Sequence, residues 1–171
     1  MYYLRARSDS GQEASNFPTR PEKLSESAQF AIVASEYNRN YVDGLVDHAI
    51  AELEMVAPQS AISVVRVPGS FEIPIAVQSI AAYRSPSAIL AFGVIFDGET
   101  LHASLIATAV TEALLKISLK QEIPILHEVL VVKNDEQAKA RCLSPDINRG
   151  TEAARAAARI VQTLRQIRKG D

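Results

Sequence analysis

From Phe30 onward the apolar positions follow two alternating rhythms. "FAIVAS" (30–35), "AISVVRV" (61–67), "AILAFGVIF" (88–96) and "ILHEVLVV" (125–132) are short runs rich in β-formers. Such near-continuous runs predict strands of a parallel sheet buried on both faces. Between them the spacing becomes helical. Residues 41–56 put Val42, Leu45, Val46, Ala49 and Leu53 on one face, with Asn38 or Asn40 as N-cap. Residues 71–83 repeat the pattern with Ile73, Ala76, Val77 and Ile80, and Pro74 is tolerable because it lies in the first turn. A third helix is predicted over 102–120 and a short one over "NDEQAKARC", with acidic residues in its first turn. A last helix over 151–167 carries the stripe Ala153, Ala154, Ala157, Ile160, Val161 and Leu164. The order β-α-β-α-β-α-β-α-α, closed by right-handed crossovers, predicts a four-stranded parallel sheet in a three-layer α/β/α sandwich.

The third helix is apolar on more than one side. Leu105, Ile106, Ala109, Val110, Ala113, Leu114 and Ile117 form a stripe wider than one sheet face needs. Its small residues, Ala107, Thr108, Ala109 and Ala113, would admit another helix closely. The surplus face is expected to be covered by further copies of the chain.

Composition changes this picture little. A chain of 171 residues, 47% hydrophobic and 22% charged, suits one domain. Its formal charge of −2 gives no general electrostatic reason to bind nucleic acid or an anionic membrane. The single cysteine, Cys142, excludes an intrachain disulfide, fits a reducing cytoplasm and reads as a buried spectator thiol. No cluster has metal-ligand spacing, and no apolar run is expected to approach the ~20 residues that span a bilayer. Residues 1–28 read as a polar, partly disordered extension, and 29–171 as the single domain.

In a sheet of this kind ligands sit beyond the carboxyl ends of the strands. The loops there are "SEYN" (35–38), "VPGSFE" (67–72), "DGETLH" (97–102) and "NDEQAKAR" (134–141). Gly98 would allow a tight turn, and the amides of Glu99 and Thr100 would lie near a helix N-terminus, which suits phosphate. Thr100 could equally be a plain helix cap. Histidine is a common proton-transfer group, so His102 could move protons, although a lone histidine is often structural. His48, mid-helix, reads as structural or surface. Arg141 and Arg149 are either solvated cations or phosphate partners. Tyr37 could stack on a flat ring. A phosphate loop of the flavin-mononucleotide-carrier kind would need glycine after the first strand, and "ASEYNRN" has none.

Taken together, these loops resemble those of the lumazine synthases. Tyr37-Asn38 matches the family's aromatic-Asn pair, "VPGSFEIP" (67–74) its "VPGAFEIP", and "GVIFDGETLHA" part of its "G-x-V-I-R-G-x-T-x-H-F". "EQAKARCLSPDINRG" (136–150) aligns without a gap on "EQAxxRxG…NKG". The resemblance covers about residues 30–168. It implies a flavodoxin-like fold and a synthase that joins 5-amino-6-(D-ribitylamino)uracil to 3,4-dihydroxy-2-butanone 4-phosphate without metal or redox cofactor. It also implies a homopentamer, or a multiple of one, with active sites between subunits.

By the same resemblance Tyr37, with Asn38 beside it, stacks on the pyrimidine, and Ser70, Phe71 and Glu72 line the ribityl pocket. Gly98, Glu99 and Thr100 cradle the phosphate, His102 transfers protons, and Arg141 pairs with the phosphate. Arg149 stands for the lysine of "NKG", and His127 for the phenylalanine that a neighbouring subunit inserts against the ring. Further departures are Glu36 and Asp97, where basic residues are common, and Ala103 in place of phenylalanine. Asp-Gly at 97–98 is similar to a divergent, type II branch. An inward Asp97 would weaken anion binding, so it is expected to point away or to pair with a cation. The alternative to an enzyme is a lumazine- or flavin-binding, shell-forming paralogue without efficient turnover.

Overall fold

The computed structural model describes residues 19–145 and 148–170. Four strands, β1 (Gln29–Ser35), β2 (Ala61–Val67), β3 (Ala88–Phe96) and β4 (Ile125–Val132), form one parallel sheet in the order β2-β1-β3-β4. Five helices connect and cover it: α1 (Arg39–Val56), α2 (Ile73–Arg84), α3 (His102–Gln121), α4 (Asp135–Cys142) and α5 (Arg149–Lys169). A single 3₁₀ turn, Ser70–Glu72, leads into α2.

Alternate residues of each strand serve opposite layers. Phe30, Ile32, Leu90 and Phe92 pack under α1, α4 and α5. Ala31, Val33, Ile89, Ala91 and Val129 pack under α2 and α3. This is the α/β sandwich the periodicity predicts, with an arrangement of the flavodoxin-like kind. Two strands depart from the expectation of burial on both faces: β2 and β4 lie at the sheet edges and leave Val64 and Val131 exposed.

The first 18 residues of the expected polar extension lie outside the described residues. Two of the remaining residues are buried. Leu24 and Ala28 are in the core, Leu24 N–H donates to the Val56 carbonyl at 2.8 Å, and Arg20 holds Glu52 through two hydrogen bonds of 2.6 and 2.8 Å. Leu24 and Ala28 thus join the core of the domain expected from residue 29. A single leucine among polar residues makes no period, so composition hid it.

By length and composition α3 could cross a bilayer, with a mean hydropathy of 1.2. This corrects the expectation that no apolar run approaches that length, although Glu112, Lys116 and Lys120 interrupt it. Here it lies along the sheet through Val110, Leu114 and Ile117.

Candidate functional site

The carboxyl ends of β1, β2 and β3 are drawn together by backbone bonds. After β1, Glu36 N–H donates to the Val67 carbonyl at 2.8 Å, and Tyr37 N–H to that of Pro68 at 3.1 Å. Asn38 then turns the chain in the left-handed region, φ 56°, which asparagine tolerates better than most residues. It stands at the N-cap position of α1, but its side chain caps nothing there. Instead its Nδ2 donates to the Val94 carbonyl of β3 at 2.8 Å. The predicted cap is thus a cross-link that fixes the β1 loop against β3.

Ser70 is buried beside β3, and Gly93 makes room for it: a Cβ on Gly93 would lie 2.6 Å from Ser70 Oγ. After β3, Asp97 N–H donates to the Val132 carbonyl at 2.8 Å, and the next three residues are exposed. Gly98 does not use the conformational freedom of glycine. Its φ is not left-handed, and a Cβ there would meet nothing within 4 Å. Thr100 Oγ1 accepts from His102 N–H at a long 3.5 Å.

These loops enclose a cavity of about 460 Å³. It brings together eight of the predicted site residues: Tyr37, Asn38, Ser70, Phe71, Glu72, Gly98, Thr100 and His102. Asp97 and Glu36 lie outside the lining, and buried Ala103 is part of it. Sequence reading missed Gly69, Ile106 and the end of β3, Val94 to Phe96, as wall residues. Their place at a strand's carboxyl end and in the next helix was the available signal. Tyr37, Phe71 and the β3 end offer apolar surface to a flat ring, while Ser70, Glu72, Thr100 and His102 supply polar groups. That combination suits a polar heterocyclic ligand.

Glu99, His127, Arg141 and Arg149 do not line this cavity. His127 is half-buried on β4. Its Nδ1 accepts from Val129 N–H at 3.2 Å, which leaves the proton on Nε2, 2.8 Å from Thr111 Oγ1. Burial pushes its pKa below the usual histidine range. Arg141 is exposed on α4. Arg149 bonds both oxygens of buried Glu128, at 2.9 and 3.1 Å, and Glu152 at 2.7 Å. Burial works against its charge, but the two carboxylates outweigh it and raise its pKa. Burial also raises the Glu128 carboxyl, and Arg149 offsets only part of this. Cys142 is buried, and burial pushes its thiol up to about 11, as befits a spectator. His48 Nδ1 lies 3.5 Å from Thr151 Oγ1, between α1 and α5 and away from the cavity.

The profile of the 6,7-dimethyl-8-ribityllumazine synthase family matches residues 27–165. The 6,7-dimethyl-8-ribityllumazine synthase of Stenotrophomonas maltophilia is 38% identical over 143 residues, 83% of this chain and 92% of its own. That of Halorhodospira halophila is 36% identical over 141 residues, 82% and 90% of the two chains. 6,7-Dimethyl-8-ribityllumazine synthase 1 of Caulobacter vibrioides is 35% identical over 142 residues, 82% and 93%. Fold, site loops and sequence agree, and the chain belongs to the 6,7-dimethyl-8-ribityllumazine synthase family.

Proposed function

We propose that this protein is a transferase of riboflavin biosynthesis that condenses 5-amino-6-(D-ribitylamino)uracil with 3,4-dihydroxy-2-butanone 4-phosphate. The observation that carries this reading is the meeting of Tyr37, Ser70, Glu72, Thr100 and His102 around one cavity at the strand ends. The pyrimidine stacks against Tyr37, and the ribityl hydroxyls bond Glu72 and the Ser70-Phe71 segment. The phosphate lies over Gly98 and Thr100, where open space and the N-terminal end of α3 suit an anion. Glu99 contributes its amide there.

The arylamine attacks the ketone and water is lost to give an imine. Phosphate then leaves, and ring closure with loss of a second water gives the lumazine. His102 moves the protons, Arg141 meets the charge of the departing phosphate, and holding two reactants together supplies much of the rate. A binder of finished flavin has no need of Thr100 and His102 beside Glu72.

The site is completed between copies of the chain in a cytoplasmic homopentamer or a multiple of one. His127 and Arg141 of one copy then approach the cavity of the next. The exposed apolar side of α3, with Phe71 and Ile75 beside it, supports this assembly.

The test is an assay of the purified protein with both substrates, following lumazine formation. Product is expected, and His102→Ala should lower turnover on the order of 10²-fold while leaving binding nearly intact. Tight riboflavin binding with no product would overturn the reading.

A further inference from the structure

The chain sets two arginines at the junction of α4 and α5 and treats them differently. Arg149 is the first residue of α5, and every neighbour fixes it. Asn148 caps the helix by accepting from the amides of Gly150 and Thr151, and its Nδ2 reaches back to the Cys142 carbonyl at 2.7 Å. Gly150 permits the crossing on α1, since a Cβ there would lie 2.1 Å from the Leu45 carbonyl oxygen. Arg149 then forks onto Glu128 of β4, a carboxylate only 8% exposed, and bonds Glu152 as well. One cation thus stands between two carboxylates. Arg141, the last residue but one of α4, is exposed, and its charge acts on Glu128 without a bond to it.

A phosphate seeking Arg149 would have to displace two carboxylates already bonded to it. It would also strand the buried Glu128 without a counter-charge, which is costly. We propose that Glu128 and Glu152 hold Arg149 as an internal ion pair, so that phosphate recognition falls to Arg141. Glu128 thereby sets how weakly the protein holds the anion. It is a positioning residue that keeps a second cation out of the phosphate's reach, which favours release of the phosphate that leaves. This rests on the reading above that the substrate carries a phosphate.

The experiment is calorimetric titration of the full chain with inorganic phosphate, alongside the lumazine assay. Arg141→Ala should weaken phosphate about 10-fold or more, and Arg149→Ala less than about 2-fold, because only the first removes a charge-assisted contact to the anion. Glu128→Gln should tighten phosphate about 3- to 10-fold by freeing Arg149, with KM for the phosphate substrate falling in step. A merely structural role would not yield a gain in affinity. Should Glu128→Gln fail to fold, Glu152→Gln at the outer side of the cluster should give a smaller tightening. Loss of phosphate binding in Arg149→Ala equal to that in Arg141→Ala would overturn the inference, as would wild-type protein that binds no phosphate. If the predicted phosphate pattern appears but no lumazine forms, the functional reading falls and this inference stands.

Discussion

The two faces of the sheet use similar residues and are finished differently. On the α1/α4/α5 side, every junction closes within the chain. Glu52 is buried and bonded by Arg155 at 2.9 Å and by Arg20. Asn148 ties α4 to α5, and α5 ends on Gly170 in the left-handed conformation suited to glycine. On the α2/α3 side, Phe71 is 62% exposed, Ile75 67%, Leu105 65% and Leu119 72%. The helices there end on Ser85 and Glu122, which take the left-handed conformation without being glycine. The closed face does the work of folding. The open face presents apolar surface continuous with the cavity, through Phe71, Ile106 and Ala109. Among the described large apolar residues of the helices and their ends, the α1/α4/α5 side exposes Met55, Leu143 and Ile167, fewer than the α2/α3 side, which is built for company.

The contrast is broken most severely at Gly150. Gly150→Ala would drive a methyl group into the Leu45 backbone, which cannot yield as a side chain could. A loss of about 3 kcal/mol is expected from such overpacking, read as a lowered urea midpoint. A change below a few tenths would mean that α1 and α5 shift apart freely and the closed face is less rigid than it looks. Next in size is Leu105→Glu on the open face. Stability of the isolated chain should move little, because an exposed side chain loses no packing. The assembly should weaken by about 2 kcal/mol per chain, the worth of one buried leucine, and light scattering should report smaller particles. An unchanged mass would show that α3 is not the surface between copies.

How much of this was legible in the sequence differs between the faces too. The bounds predicted for the last three strands, 61–67, 88–96 and 125–132, are those observed, because each is a short run rich in β-formers set between turn and polar residues. Strand-end loops followed from those bounds, and with them eight residues of the cavity. Interactions distant in sequence did not follow. Glu128 interrupts an apolar strand, and nothing local says that its partner lies 21 residues on. Asn38 looked like a cap because caps are local, whereas its partner Val94 is 56 residues away. Residues completed by another copy, Arg141 and His127 in the present reading, leave no trace in one chain's periodicity.

A gain, rather than a loss, is expected at the ends of the open face. Glu122 holds φ 53° and Ser85 φ 45°, a conformation that crowds any Cβ. Glu122→Gly should stabilise the protein by about 0.5–1 kcal/mol, read as a raised Tm. The Arg168 bond to the Glu122 carbonyl, 3.3 Å, needs no side chain and should survive. A fall in Tm would mean that the Glu122 side chain contributes more than its backbone costs.

The smallest effect is expected at His127, on the open side of β4. The ring is locked in one tautomer. Val129 N–H donates to Nδ1, Nε2–H donates to Thr111 Oγ1, and that hydroxyl donates to the Ala107 carbonyl at 2.7 Å. A second proton must go to Nδ1 and break the Val129 bond. Burial lowers the folded pKa in the same direction. The sign follows from linkage. Below about pH 6.5 the unfolded chain takes up the proton and the folded chain resists it, so stability is full above that pH and is lost as pH falls toward the folded value. His127→Phe removes the titration. Other carboxyl groups also respond to acid, so the informative quantity is the difference between the two proteins. The Tm of the wild type should fall by about 2 °C more than that of His127→Phe between pH 7.5 and pH 5. Parallel Tm curves would show that the Val129–His127–Thr111 chain opens without cost, and that even this ordered part of the open face waits for its neighbour.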